Sequence, residues 1–449
     1  MPIKSVHITN YYHKNSGGIS TSYNKLLDAA NRHERHVRLI VPGEETAVEE
    51  VGDFGRIYYI QANPSPVFDR RYRLMMPWKT FMPDGSPVKS ILRRERPDLI
   101  EIGEKYTISL MAGLLRKRLM NVSPQRPVLV HSTCERMDDN VRSFIGKSKV
   151  VSWFARQYIG NYNIPMFDFH ISNSTYTRQE LIESALQRNR ATLTSKFSEF
   201  CWNFWRSPKI DLNERLFINE CGVDVDMFSP TRRSDRNRKT LLERFGLSEN
   251  TNLLLYIGRI SPEKNLILLP EIMRLLAVER IDHRLIIVGT GPFTETLRSL
   301  SAKRCPGKVI FAGQIADKHD LADIYANCDT FVHPNPHEPF GIAPLEAMAS
   351  GLPLVAPDSG GVLSYATAEN AWLSRPSAVD FCNSVRNVSV DRDLRQLRIG
   401  NALLTSQRYS WETSTDARFA LYDRMFELFT TRQSLFDYVA EPVGIDYSI

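Results

Sequence analysis

Short, unbroken apolar runs that end at Gly, His or Pro recur along the second half of this 449-residue chain. They occupy positions 253–258, 285–289, 309–313, 330–333 and 354–356. Runs of this length without polar alternation are typical of strands buried on both faces, as in parallel sheets covered by helices. Helical patterns separate the runs, so the sequence predicts right-handed βαβ units and an α/β fold.

The first half repeats the scheme less cleanly. Strands are predicted at 6–9, 37–41, 57–60, 99–102, 128–131 and 167–171, with helices at 20–30 and 106–120. We therefore predict two doubly wound domains, 1–220 and 221–410, divided near Cys221-Gly-Val-Asp. Residues 411–449 are predicted as an amphipathic helix over 411–433 that packs back towards the first domain, followed by a weakly ordered tail. Open α/β sheets bind ligands at the carboxyl ends of their strands, so two facing sheets predict one shared cleft.

Composition narrows the class of protein. The chain is 24% charged and 42% apolar, which excludes disordered and fibrous classes. Its net charge of +6 is uneven: residues 1–220 carry 32 Lys and Arg against 23 Asp and Glu, and the remainder carries 25 against 28. Six scattered cysteines without C-x-x-C are typical of a reducing compartment. Without a leader-like segment or an apolar run of about 18 residues, we expect a cytoplasmic protein, soluble or peripheral to a membrane.

Two features suit an anionic ligand. Gly17 and Gly18 follow the first strand and open a helix, where main-chain amides can approach an anion. Arg259 and Lys264 follow the strand at 253–258, where two cations can clamp a diphosphate. Alone, a Gly-Gly pair is more often a simple turn, and a basic pair is more often a solvated loop.

Three further side chains are candidates for sugar chemistry. Glu338 lies in a loop, and Glu346 is predicted in the first turn of a helix beginning near Ile342, where a carboxylate can accept both hydroxyls of a ribose. An acidic residue near a helix start also simply complements the helix dipole. His131 ends the strand at 128–131, where a lone histidine is more often structural than catalytic.

Taken in order, these residues resemble the retaining glycosyltransferases of family four, which share the GT-B fold with glycogen and sucrose synthases. The resemblance is strongest over 250–375. It rests on the segment from Gly258-Arg259 to Lys264, Gly289-Thr-Gly291, the Glu-x7-Glu pair of Glu338 and Glu346, and Ser359-Gly-Gly361. Matches in the first half are thinner and include Ile171-Ser-Asn-Ser174.

The resemblance implies a role for each candidate. The donor's diphosphate would be held by Arg259, Lys264 and the amides of Gly17 and Gly18, with Glu346 on the ribose and the backbone near Ile315 bordering the base. Glu338 would meet the transferred sugar. The residues implied to line that sugar subsite are Phe340, Gly341 and Ile342, with His131 near the sugar's reactive face.

The implied reaction is transfer of a sugar from a nucleoside-diphosphate donor to an acceptor hydroxyl, with retention and without a metal or other cofactor. No Asp-x-Asp motif stands in a suitable strand-end loop. A GT-B epimerase or hydrolase is the alternative, recognisable by free sugar formed without an acceptor. A nucleic-acid-binding protein is disfavoured because the chain lacks a reading motif, and a dead scaffold because Arg259, Lys264, Glu338 and Glu346 are all present.

The part of the sequence implied to bind the acceptor departs most from the pattern of the family that the chain resembles. Segments 66–82 and 196–209 mix bases with large aromatic residues. They are equally consistent with contact to an anionic membrane, which would suit a lipid or cell-envelope glycan acceptor, and with the core of an elaborated domain. The donor's base and sugar are set by variable loops that the motifs do not determine.

Overall fold

The computed structural model describes residues 2–13, 17–65, 73–144, 148–186, 193–278 and 281–436. Ser16, positions 66–72 of the basic and aromatic segment, and the predicted tail at 437–449 lie outside the described residues.

The first half of the chain folds around an eight-stranded sheet in the order β10-β9-β8-β7-β1-β2-β4-β3. All its pairings are parallel except that of β3 with β4. Its strands are β1 Ser5–Ile8, β2 Val37–Gly43, β3 Ala47–Val51, β4 Gly55–Gln61, β7 Leu99–Ile102, β8 Val128–Thr133, β9 Phe169–Ser172 and β10 Leu216–Ile218; β5 Asn63–Pro64 and β6 Arg73–Leu74 form a small separate ribbon.

The second half contains a six-stranded, all-parallel sheet in the order β13-β12-β11-β14-β15-β16. Its strands are β11 Asn252–Ile257, β12 His283–Val288, β13 Val309–Gly313, β14 Thr330–Val332, β15 Leu354–Pro357 and β16 Trp372–Ser374. Successive residues of β11 enter different cores: Leu253 and Leu255 pack on one side, and Leu254 and Tyr256 on the other. Because both faces are covered, the strand reads as one continuous apolar run, and the predicted pair of doubly wound sheets is confirmed.

Helices cover both sheets. Those of the first half are α1 Gly18–Arg32, α2 Pro77–Thr80, α3 Pro87–Glu95, α4 Leu110–Arg116, α5 Met137–Phe144, α6 Lys149–Tyr158, α7 Ile164–Met166, α8 Thr175–Leu186 and α9 Leu193–Phe204. Those that follow are α10 Asp235–Arg244, α11 Leu268–Leu276, α12 Thr294–Arg304, α13 Lys318–Asn327, α14 Ile342–Ala349, α15 Ala378–Val390, α16 Arg392–Arg408, α17 Trp411–Thr431 and α18 Gln433–Phe436. None of the helices in the described part of the chain is both long and apolar enough to cross a bilayer.

The helix predicted over 106–120 is shorter in the structure, where α4 begins at Leu110. The cause is the buried carboxylate of Glu104, which accepts main-chain N–H donors from Tyr106, Thr107 and Ile108 at 2.6–2.8 Å. These bonds hold the residues before Leu110 in a turn. An acidic side chain that satisfies several amides in this way competes with helix formation.

Helix α17 returns from the second half to the first. Phe419, Met425 and Phe429 join the core beside α1 and the first sheet. At the same contact, Glu101 on β7 accepts hydrogen bonds from Tyr422 (2.6 Å) and Arg418 (3.1 Å). Burial raises the pKa of Glu101, but Arg418, His7 and Tyr422 together outweigh burial and lower this pKa to about 2, so the paired carboxylate is ionised at neutral pH. The C-terminal helix is therefore fixed to the first sheet by both packing and charge.

Candidate functional site

The candidate donor residues lie at the carboxyl edge of the second sheet. Strands β11 and β14 are hydrogen-bonded neighbours and run parallel, so the loops that follow them emerge side by side. The loop after β11 carries Arg259 and Lys264, and the loop after β14 carries Glu338 and leads into α14. Residues separated by about 80 positions in the chain are thus brought to one edge.

Lys264 and Glu338 are in direct contact. The Lys264 ammonium donates to both carboxylate oxygens of Glu338, at 3.0 and 2.9 Å, and the Asn335 amide donates to one of them at 2.9 Å. Burial would raise the pKa of Glu338, but Lys264 and then His333 lower it to about 2. Burial itself lowers the pKa of His333 to about 4, so that ring is neutral at pH 7. The site therefore holds a lysinium and a carboxylate, charged and paired.

Arg259 adds positive charge to this loop. Burial lowers and Glu338 raises the pKa of Lys264, with a net upward shift, while the nearby Arg259 charge opposes that shift. Two like charges held close together at the end of a strand suit an anion with more than one charged group, such as a diphosphate.

Glu346 lies on α14 with its carboxylate towards α13. The Tyr325 hydroxyl donates to it at 2.8 Å, and burial raises the pKa of Glu346 to about 7. Tyr325 is a site residue that the sequence analysis missed, because a tyrosine on the buried face of a helix reads as core. Ile315, implied to border the base, is partly buried against the same core.

The subsite loop between Glu338 and α14 is backed by the Ser359-Gly-Gly361 motif. A Cβ atom at position 361 would lie 1.8 Å from the main-chain oxygen of Pro339, and the Gly361 amide donates to the main-chain oxygen of Glu338 at 2.6 Å. Gly341 is the N-cap of α14 and Ile342 its first residue. The Phe340 side chain is 2% exposed and packs on Tyr365. Phe340 can therefore line the subsite with its main chain but not with its ring.

The Gly17-Gly18 turn of the first half faces α14. A Cβ atom at Gly18 would lie 2.9 Å from Cδ1 of Ile342, which shows how closely the two segments approach each other. The N-termini of α1 and α14 therefore meet across the cleft, and both direct partial positive charge towards it. The predicted glycines are thus brought to the donor-side residues.

His131 is placed differently from the other candidates. Its side chain is fully buried and contacts the rings of Phe167 and His170, both in the first half. Burial lowers the pKa of His131 well below its ordinary value, so the imidazole is neutral at pH 7. Within the described residues, no three His, Cys, Asp or Glu side chains are grouped to hold a metal ion.

Comparison with known proteins agrees with this geometry. Residues 237–403 match the family model described as glycosyl transferases group 1. A GDP-mannose-dependent alpha-(1-6)-phosphatidylinositol dimannoside mannosyltransferase from Mycobacterium tuberculosis strain H37Ra is 25% identical over 428 residues, covering 94% of this chain and 97% of the relative.

Solved structures with this fold include a sucrose-phosphate synthase from Thermosynechococcus elongatus, with a TM-score of 0.69 and 18% identity, covering 94% of this chain and 99% of that one. The Anabaena protein HepE, solved with UDP, has a TM-score of 0.64 and 17% identity, covering 94% and 100%. The expected resemblance to group 1 glycosyl transferases is confirmed over residues 237–403, and the chain as a whole has the predicted GT-B fold.

Proposed function

We propose that this glycosyltransferase moves a mannosyl group from GDP-mannose to a hydroxyl of a phosphatidylinositol-type glycolipid, with retention and without a metal ion. The observation that carries the donor half of this proposal is the set of two cations and two carboxylates at one sheet edge, under the Gly17-Gly18 turn. The choice of substrates draws on the mycobacterial relative, whose match extends over nearly the whole of both chains.

In the proposed reaction, the bond between the anomeric carbon and the donor's diphosphate breaks as the acceptor oxygen bonds to the same face of that carbon. The acceptor's proton passes to the departing phosphate oxygen. Arg259 and Lys264 stabilise the charge that grows on the diphosphate, and the loop after β11 already carries both cations at this edge before the donor binds. This is the role that a divalent metal would otherwise fill.

The two carboxylates are proposed to take different parts. Glu346, with Tyr325 fixing one of its oxygens, accepts hydrogen bonds from the ribose hydroxyls. Glu338, ionised beside Lys264, faces the sugar that is transferred. The neutral His131 is buried within β8, two residues before the strand ends, and is proposed to support the sugar's binding surface rather than act as a charged acid.

A thermal-stabilisation screen of GDP-, UDP- and ADP-sugars tests the donor. We expect GDP-mannose to raise the melting temperature most, since a ligand at 100 times its Kd adds about 2.7 kcal/mol. Transfer is then measured with phosphatidylinositol mannosides in EDTA, with the anomeric configuration of the product determined by NMR. Stabilisation only by another nucleotide sugar contradicts the donor, and free mannose formed equally with and without acceptor indicates a hydrolase.

The same screen has a predicted pH dependence. Glu346 must be ionised to accept two hydroxyl protons, and its pKa is raised to about 7. The ligand-induced rise in melting temperature should therefore grow between pH 6 and pH 8. Because the folded pKa is raised, the proton itself stabilises the unliganded fold below pH 7, so each shift is compared with the unliganded protein at the same pH. Glu346→Gln should remove this pH dependence.

We further propose that α9 contacts the cytoplasmic face of an anionic membrane. Phe197, Phe200 and Phe204 are 46–63% exposed, and their spacing puts them on one side of the helix. The Lys117 ammonium lies 3.6 Å from the Phe204 ring centroid. The opposite side of α9 is anchored, since Ser198 bonds to Asn161 and Trp202 to Gly160. An aromatic face bordered by bases is the chemistry that an anionic lipid interface accommodates.

Cosedimentation with vesicles of phosphatidylinositol and phosphatidylcholine tests this surface. Replacing Phe197, Phe200 and Phe204 by Ser should weaken vesicle binding about tenfold or more for each ring removed, because burying each ring in lipid contributes on the order of 1.5–3 kcal/mol. The matched control replaces three exposed apolar residues of the second half by Ser: Val390, Leu397 and Leu404. Equal binding by both triple variants contradicts the proposed surface.

A further inference from the structure

The loop that carries Glu338 is held by first-half residues on both sides of that glutamate. Before it, Nδ1 of His337 lies 3.0 Å from the Tyr176 hydroxyl and 3.5 Å from Oδ1 of Asp139. After it, the main-chain oxygen of Pro339 accepts a hydrogen bond from the Ser174 hydroxyl. Ser174 and Tyr176 stand at the start of α8, and Asp139 is on α5. These contacts cross the cleft.

The first-half side of this contact is rigidly built around Arg136. Its guanidinium lies 4.7 Å from the Tyr176 ring centroid and donates to both oxygens of Asp138, at 3.0 and 2.8 Å. It also donates to the Tyr176 main-chain oxygen at 3.3 Å and lies 3.4 Å from Asp139. The two side chains that receive His337 are therefore held by contacts made within the first half.

The hydrogen-bond chemistry assigns the proton at His337. The Tyr176 hydroxyl donates its single proton to Asp139. The contact between Tyr176 and His337 must then be an N–H donated from Nδ1 of His337 to the tyrosine oxygen. The imidazole thus connects the second half to a hydroxyl whose orientation Asp139 has already set.

We propose that Ser174, Tyr176 and Asp139 form a closure bracket, meaning a set of positioning residues that orient Glu338 when the two halves close. The inference rests on the transfer reaction proposed above. In that reaction Lys264 turns towards the donor's diphosphate, so Glu338 loses its strongest tether within the second half, which the structure shows as the bond to Lys264. The bracket holds the residues on either side of Glu338 and keeps the carboxylate in place during transfer.

A double-mutant cycle tests the bracket. Tyr176→Phe and His337→Ala should each lower kcat about 10- to 100-fold, because a shift of about 1 Å in a positioned group costs rate on that scale. The donor's KM should change less than threefold, since the phosphate and ribose contacts remain. The double variant should be no slower than the slower single variant, because both changes remove one shared contact.

The matched control is Tyr59→Phe, which removes a hydroxyl that donates to Glu49 at 2.9 Å within the first half. It should retain wild-type kcat. Additive losses in the cycle, or wild-type kcat in Tyr176→Phe, would overturn the bracket. A loss confined to KM would do the same, because it would place Tyr176 in donor binding.

Single-molecule fluorescence energy transfer between dyes on the two halves gives a readout that does not depend on the substrate. With GDP present, Tyr176→Phe should reduce the population of the closed state relative to wild type and to Tyr59→Phe. An unchanged closed population overturns the bracket. If wild-type protein transfers no sugar but Tyr176→Phe still lowers the closed population, the proposed reaction is wrong and the bracket stands as a closure contact.

Discussion

Arg259→Ala is expected to lower kcat for transfer by about 10²- to 10³-fold, the usual cost of losing one preorganised group at a site of developing charge. Arg259 stands in the loop after β11, and its charge acts on Lys264 beside it. With the guanidinium gone, Lys264 alone faces the leaving diphosphate while also paired with Glu338. The measurement is kcat for transfer from GDP-mannose at saturating acceptor.

Arg244→Ala is the matched control for this change. Arg244 is an arginine of the same half that pairs with Asp320 at the surface, at 2.9 Å. Its loss should leave kcat and the melting temperature near wild-type values, because exposed pairs contribute little. Near-wild-type transfer by Arg259→Ala, with its melting temperature unchanged, would contradict the proposed phosphate clamp.

The strands that could be predicted are those whose burial leaves a recognisable pattern in their own sequence. Strands buried on both faces leave continuous apolar runs, and β11 and β12 were recognised in this way. Strand β3, with the sequence Ala-Val-Glu-Glu-Val, was not, because it is an exposed edge strand stabilised by its antiparallel pairing with β4. Strand β16 has only three residues and depends on β15 for its hydrogen bonds. Neither β3 nor β16 can be recognised as a strand from its own amino-acid composition.

The candidate site, like the fold, could be predicted only in part. The order of motifs identified Arg259, Lys264, Glu338 and Glu346, and parallel pairing of β11 with β14 explains why they converge. The contact between Glu338 and Lys264 was not predicted, because the sequence does not show how far apart two oppositely charged side chains in different loops lie. The bracket around Glu338 was also missed, since the contact between Tyr176 and His337 becomes visible only when the arrangement of the two halves is known.

Glu338→Gln is expected to separate kcat from KM. The substitution keeps the side chain's size and its bond from Asn335 but removes the charge that faces the sugar, so kcat should fall by about 10²-fold or more. Lys264, freed from a carboxylate that holds it at 2.9–3.0 Å, becomes fully available to the diphosphate. The donor's KM should therefore stay the same or decrease. Steady-state kinetics with GDP-mannose measures both constants.

The change in melting temperature caused by Glu338→Gln can be predicted as well. The pKa of Glu338 is lowered to about 2 in the folded protein, so its ionised form stabilises the fold above the ordinary carboxyl pKa and this contribution is lost as the pH falls towards 2. Glu338→Gln should melt below wild type at pH 7, with a smaller difference at pH 3. Glu271→Gln, which alters a carboxylate paired at the surface with Arg274 and Arg304, should lower the melting temperature much less at pH 7, because exposed ion pairs contribute little. A rise in the donor's KM with kcat preserved would instead make Glu338 a binding group, and the assignment of the two carboxylates would have to be reversed.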